Sequence, residues 1–181
     1  MNDRAVAHVV VEMLVAMADR EELSLEALCE GLPIDPALLR RRLGGLEWDH
    51  FATLMERLEA HLGPAAFREA CALVPERSPT SARILRRFVS GRLLLHFVFR
   101  AMGPSMYPMY RTAFSEAQTA DGRGVFHVNL ELRPGFRDCR AVFSAHGVAT
   151  AALPRLLGQP PFLLREEVRP RGGDYWFTEP G

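Results

Sequence analysis

The stretch "DGRGVFHVNLELR", residues 121–133, opens on a turn dipeptide and then alternates. Phe126, Val128, Leu130 and Leu132 fall on one side, and His127, Asn129, Glu131 and Arg133 on the other. A period of two marks a strand with one buried and one wet face. Asp121-Gly122 ahead of it is a hairpin signal, because glycine accepts the positive φ that a tight turn needs. The preceding run, "MYRTAFSEAQTA", is then the partner strand.

Working outward, "DCRAVFSAHGVATAAL" is rich in alanine and reads as a helix over 139–157, ended or kinked by Pro154. "FLLREEVRP", a turn at Arg171-Gly172-Gly173-Asp174 and "YWFTEP" read as a second hairpin. Hairpins imply antiparallel pairing. The expected class is α+β: an N-terminal helical part over 1–102, then an antiparallel four-stranded sheet covered by helices over 103–181. Its strands are placed near 110–119, 124–133, 162–169 and 174–178.

The first half has the period of helices. Val6, Val9, Val10, Met13, Leu14 and Met17 share one face of a segment over 4–19. Ser24 is a candidate N-cap for a short helix that Gly31 stops, and Asp35-Pro36 starts another that Gly44-Gly45 ends. From Glu47, the residues Trp48, Phe51, Leu54, Met55, Leu58 and Leu62 form one apolar face. Gly63-Pro64 breaks that helix and opens the next, with Phe67, Ala70, Cys71 and Leu73 inward. Two more helical stretches are expected near 79–88 and 90–102.

Composition narrows the function classes. The 181 residues carry 22 Lys+Arg and 22 Asp+Glu, so no net charge points to nucleic acid or an anionic membrane. No apolar run is long enough to span a bilayer, and the N-terminal segment reads as a helix rather than a signal peptide. Cys29, Cys71 and Cys139 stand far apart, which fits reduced thiols in a cytoplasm and no zinc site. The nucleophile elbow, the phosphate loop, the dinucleotide glycine motif and the HExxH motif are all missing. Glu47, Asp49 and His50 lie together in "EWDH", but acids at a helix start need no catalysis to explain them. The expectation is a protein that is not an enzyme.

From about Arg87 to Thr178 the chain resembles the C-terminal part of haem nitric-oxide/oxygen-binding (H-NOX) domains and of the related vinyl-reductase-type (V4R) small-molecule-binding domains. The run that carries the likeness is an apolar helix with His96, then "SMYP", a strand, "DGRG", a strand ending "ELRPGF", an alanine-rich helix, "LLG" and a closing hairpin. Over its whole length it resembles N-terminal input modules of bacterial sensor histidine kinases, especially myxobacterial ones, through "LCEGLPIDPALLRRRLGGLEWDHFATLMERLEAHLGP" and "FVSGRLLLHFVFRAMGPSMYP".

That resemblance implies a sensory module in a two-component system that senses a small apolar molecule or a protein partner and relays to a C-terminal output such as a kinase. "TEPG" at the end suits a linker. A pocket between helix 90–102, helix 139–157 and the sheet would be lined by Leu95, Phe99, Met102, Met106, Leu130 and Phe143. His96, His127 and Arg133 would be its polar anchors. The alternatives are a haem-based gas sensor with His96 as axial ligand, and a homodimerisation module without ligand. In haem-binding relatives a Tyr-x-Ser-x-Arg motif holds the propionates. Here the corresponding strand reads Asn129, Glu131, Arg133, so only the arginine is kept and a carboxylate of the wrong sign appears. The expected cofactor is therefore none.

Overall fold

The computed structural model describes residues 5–41, 45–77 and 90–181. The helix expected near 79–88 and the Gly44 end of the third helix lie outside the described residues. Within them the class is α+β, and the strands fall within two residues of their expected bounds.

Strand β1 (Ala5–Val6) pairs antiparallel with β2 (Leu46–Glu47). Helix α1 therefore begins only at His8 and runs to Arg20 (His8–Arg20), not from residue 4. Two short helices follow, α2 (Leu25–Cys29) and α3 (Pro36–Arg40). Ser24 caps the first by accepting from Ala27 N at 3.2 Å, and Asp35 caps the second by accepting from Ala37 N at 2.8 Å. Each cap satisfies an otherwise orphaned N–H of the first turn. Helix α4 (Trp48–Leu62) buries Trp48, Phe51, Leu54, Met55 and Leu58 on one face. Gly63 leaves it at φ 79, and α5 (Pro64–Arg77) turns back with Phe67, Ala70 and Cys71 buried.

Helix α6 (Gly91–His96) is capped by Ser90 and runs on into a π-helical segment, Phe97–Met102. The short α7 (Gly103–Met106) follows. The cause of the wide turn is local. Pro104 has no N–H to give and its ring crowds the carbonyl one turn back. Gly103 N–H reaches the Val98 carbonyl five residues earlier, and a Cβ on Gly103 would lie 3.1 Å from that oxygen. Single-turn π segments are rare and concentrate at functional sites.

The main sheet runs β3 (Tyr110–Gln118), β4 (Gly124–Leu132), β6 (Gly172–Thr178), β5 (Leu163–Arg169) in spatial order β3-β4-β6-β5, all antiparallel. Its first turn spans Thr119–Arg123, with Gly122 at φ 83. The second hairpin corrects the expectation. It turns at Pro170-Arg171, and Gly172 and Gly173 are strand residues paired with Arg169 and Val168. Close packing explains these glycines. A Cβ on Gly172 would sit 2.3 Å from the Leu130 carbonyl, and one on Gly173 would sit 2.5 Å from the Tyr175 hydroxyl.

Helix α8 (Arg140–Ala152) tightens to a 3-10 turn at Leu153–Leu157, where Pro154 interrupts the α-helical bonding. It covers one sheet face, and α5 packs on its other side. Against the sheet it presents Phe143 and Gly147. A Cβ on Gly147 would meet the Tyr175 ring at 2.9 Å, so glycine lets the helix lie close. Phe126, Val128, Leu130, Leu132, Tyr175 and Phe177 fill that layer and are all 3% exposed or less. One continuous set of buried side chains joins it to the helical half.

Candidate functional site

Among the described residues the packing leaves a space beside α8. A cavity of about 110 Å³ lies there. Its wall is built from single helical faces. Helix α1 gives Val10, Met13, Leu14 and Met17, spaced i, i+3, i+4, i+7. Helix α4 gives Phe51 and Met55, and α5 gives Cys71. The π segment gives Val98 and Met102, and Met106 and Tyr107 follow. Helix α8 closes it with Val142, Ala145, His146, Ala149, Thr150 and Leu153.

Two features set this cavity apart from a packing defect. Five of the chain's seven methionines line it. Unbranched thioethers re-pack around irregular shapes and suit variable apolar contents. The Cys71 thiol donates to the Met17 thioether across 3.5 Å, so sulfur meets sulfur at the floor. The alanines at 145 and 149 explain the empty space, because α8 offers a methyl where a larger side chain would reach α1.

The second feature is His146. Among the described residues its Nε2 is buried and has no hydrogen-bond partner. Its ring stands edge-on to Tyr107 at 5.6 Å and tilts against Phe99 at 5.9 Å. Burial among these rings pushes its pKa down to about 4, so the ring is neutral at ordinary pH. Tyr110, stacked on Tyr107 at 4.9 Å, carries a buried hydroxyl that also has no partner among the described residues. Burial likewise raises Tyr107 and Tyr110 above the usual phenol range, and it pushes the Cys71 thiol up to about 12. Every polar group of the wall (Cys71, Tyr107, His146, Thr150) is therefore uncharged near neutrality.

A pH dependence follows from His146. An ordinary histidine takes its proton near pH 6.5, whereas the folded protein resists it to about 4. The unfolded chain binds the extra proton between those values, so stability falls as pH drops from 6.5 toward 4. The expected loss is on the order of 3 kcal/mol. Urea titrations at pH 7.5 and pH 4 measure it against His146→Phe. The wild type loses more than the variant by that amount, and equal losses would show that His146 titrates freely.

The residues singled out in the sequence divide. Met102 and Met106 stand in the cavity wall. Leu130 and Phe143 lie in the filled layer between α8 and the sheet, and Leu95 and Phe99 are buried in the core. The cavity lies beside the face of α8 that carries Val142, Ala145, His146 and Ala149, whereas Phe143 and Gly147 pack directly against the sheet. His146, Met13, Met17, Met55 and Cys71 were missed. Their signal was available as spacing, since Val142, Ala145, His146 and Ala149 repeat at i, i+3, i+4, i+7.

His96 is engaged elsewhere. Its Nε2 lies 3.0 Å from the Glu116 carboxylate, to which Arg92, one turn earlier, also pairs at 2.7 Å. The ring packs edge-on against Phe114 at 4.9 Å. Glu116 pairs with Phe126 in the sheet, so it shares the core face. Asn129 and Glu131 alternate to the outer face, and Arg133 follows them beyond the strand end. His96 and the strand residues matched to the propionate motif thus lie on opposite sides of the sheet and do not fit one haem. His127 also belongs to the outer face. It bonds Asp174 at 3.0 Å and stacks on Trp176 at 4.9 Å. Asp174 also accepts from Asn129 and Arg169, and its carboxyl is held below the usual range by these bonds against the desolvation that raises it.

A second hollow of about 560 Å³ lies beside this network, along Asn129, Glu131, Asp138, Arg169, Pro170, Arg171 and Gly172. It is larger but polar, and both of its arginines are paired, Arg171 with Asp138 and Arg169 with Asp174. Among the described residues no group of three or more His, Cys, Asp or Glu is placed to hold a metal, and no helix is long and apolar enough to cross a membrane. Compared with protein-family models, with curated proteins and with solved structures, the chain matches none.

Proposed function

We propose that the protein is a non-catalytic receptor module that takes a small apolar molecule into the cavity between α1, α4, α5, the π segment and α8, and relays occupancy to an output such as a histidine kinase. The observation that carries this reading is the cavity itself: about 110 Å³ of space walled by adaptable methionines, with a histidine in its wall whose Nε2 has no partner among the described residues. A packed core has few voids of this size, and comparable apolar cavities take up benzene-sized molecules.

Relay needs a contact between the cavity wall and the sheet. Arg68 lies one turn from Cys71 on α5. It pairs with Glu166 on β5 and donates to the Ser144 hydroxyl of α8 at 3.0 Å. An occupant that moves α5 or α8 biases this pair, and a ligand shifts an equilibrium by its difference in affinity for the two arrangements. β5 pairs with β6 in the last hairpin, so the same movement reaches that hairpin.

Methylcyclohexane tests the reading. It is expected to raise the melting temperature in proportion to the logarithm of its concentration once saturating, as linkage requires. It is also expected to change hydrogen exchange in Leu163–Arg169. Ala149→Phe places a ring in the cavity from the half-exposed side of α8 and is expected to abolish both effects while the fold persists. An unchanged melting temperature in the wild type, or the same rise in Ala149→Phe, would contradict the proposal.

A further inference from the structure

His146 sets a condition on what the cavity accepts. Most buried polar atoms are hydrogen-bonded, and leaving one unmet costs free energy. Nε2 of His146 is buried and unmet, and the Tyr110 hydroxyl of the same ring cluster is unmet as well. A purely hydrocarbon occupant would leave both as they are. An ion would be worse, because the wall supplies no countercharge and burying an unpaired charge is far costlier than burying a dipole. Cys71 stays a thiol at neutral pH, so it offers a cation no thiolate.

We infer that the molecule is neutral and pairs an apolar body with one hydroxyl-like group that meets Nε2 of His146. This rests on the receptor reading above and narrows it to a chemical class. A hydroxyl is favoured over a carbonyl for a chemical reason. A neutral imidazole is a donor at one nitrogen and an acceptor at the other, and a hydroxyl both donates and accepts, so it serves either tautomer. The apolar body lies against the methionines, whose thioethers adjust to its shape. Small neutral alcohols are the class that fits.

Cyclohexanol and methylcyclohexane share a shape and differ by a hydroxyl for a methyl, and cyclohexylammonium adds the charged case. Affinities are measured for wild type and for His146→Phe. The ratio of the two neutral affinities cancels the cost of leaving water, which is the same for both proteins. The alcohol-to-hydrocarbon ratio is expected to fall about tenfold in His146→Phe, the size of one hydrogen bond. Cyclohexylammonium is expected not to bind. The ¹⁵N signals of the His146 ring, read in the wild type alone, are expected to shift with cyclohexanol and hardly at all with methylcyclohexane, which keeps the test decisive if the variant folds poorly. If both neutral probes bind with an unchanged ratio and no ring shift, or the ammonium binds as well, the inference fails and the receptor reading stands. Should neither neutral probe bind, the receptor reading fails and takes the inference with it.

Discussion

Trp48→Ala is expected to cost about 4–5 kcal/mol, the upper end of large-to-small core substitutions. Trp48 is 1% exposed and joins the two halves of the fold. Its indole N–H donates to the Arg137 carbonyl at 2.7 Å, just ahead of α8. Its ring meets Tyr110 of β3 edge-on at 5.8 Å and Phe51 at 6.2 Å. Alanine removes the ring, leaves a void among aromatic neighbours and orphans a carbonyl 89 positions away in sequence. Trp48→Phe separates these effects. It keeps most of the packing and loses the bond, and about 1–2 kcal/mol is expected. Urea unfolding followed by circular dichroism measures both. A loss below about 1.5 kcal/mol for the alanine variant would show that α4 is not shared core.

Phe51→Ala is expected to cost about 3–5 kcal/mol. Phe51 is 2% exposed, and its inner side faces the cavity. The deletion therefore enlarges an existing space instead of opening a sealed one. That distinction gives a second readout. A bulkier hydrocarbon such as ethylcyclohexane should restore part of the lost stability to Phe51→Ala, by the ordinary linkage between binding and folding. Leu54→Ala, on the same helix but away from the cavity wall, is expected to be destabilised and not rescued. Equal rescue of both variants would mean that the hydrocarbon binds nonspecifically to loosened cores.

How far the sequence carried is visible in these elements. The strands announced themselves because alternation has a period that no helix shares, and Phe126 through Leu132 kept it without a break. The short helices were legible through their caps, Ser24 and Asp35, whose side chains bond where expected. The RGGD turn was misplaced because glycine serves tight turns and tight packing alike, and only the position of the Leu130 carbonyl separates the two at Gly172. The π segment had a local cause in Gly103-Pro104, yet whether a proline kinks, ends or widens a helix depends on what packs around it.

The site was harder for a different reason. Spacing reveals which residues share a face, not whether the facing elements touch. Helix α8 is apolar on both sides, with Phe143 toward the sheet and Val142, Ala145 and Ala149 toward α1. Nothing in one strand of letters says which side is filled. His96 drew attention by its apolar neighbours, while the carboxylate that satisfies it, Glu116, lies 20 positions on. His146 sat in an alanine-rich run that looked like plain helix, and those alanines are what leave room beside it.

The central claim is that one cavity, at one place, binds a small apolar molecule. Methionine methyl groups report on it directly. In protein labelled with ¹³C at the methionine methyls, titration with methylcyclohexane is expected to shift Met13, Met17, Met55, Met102 and Met106 together along one saturable curve. Met109 is fully buried but outside the cavity wall, and its signal is expected to stay in place. Shifts that never saturate, that include Met109 equally, or that are absent from the five would contradict the claim.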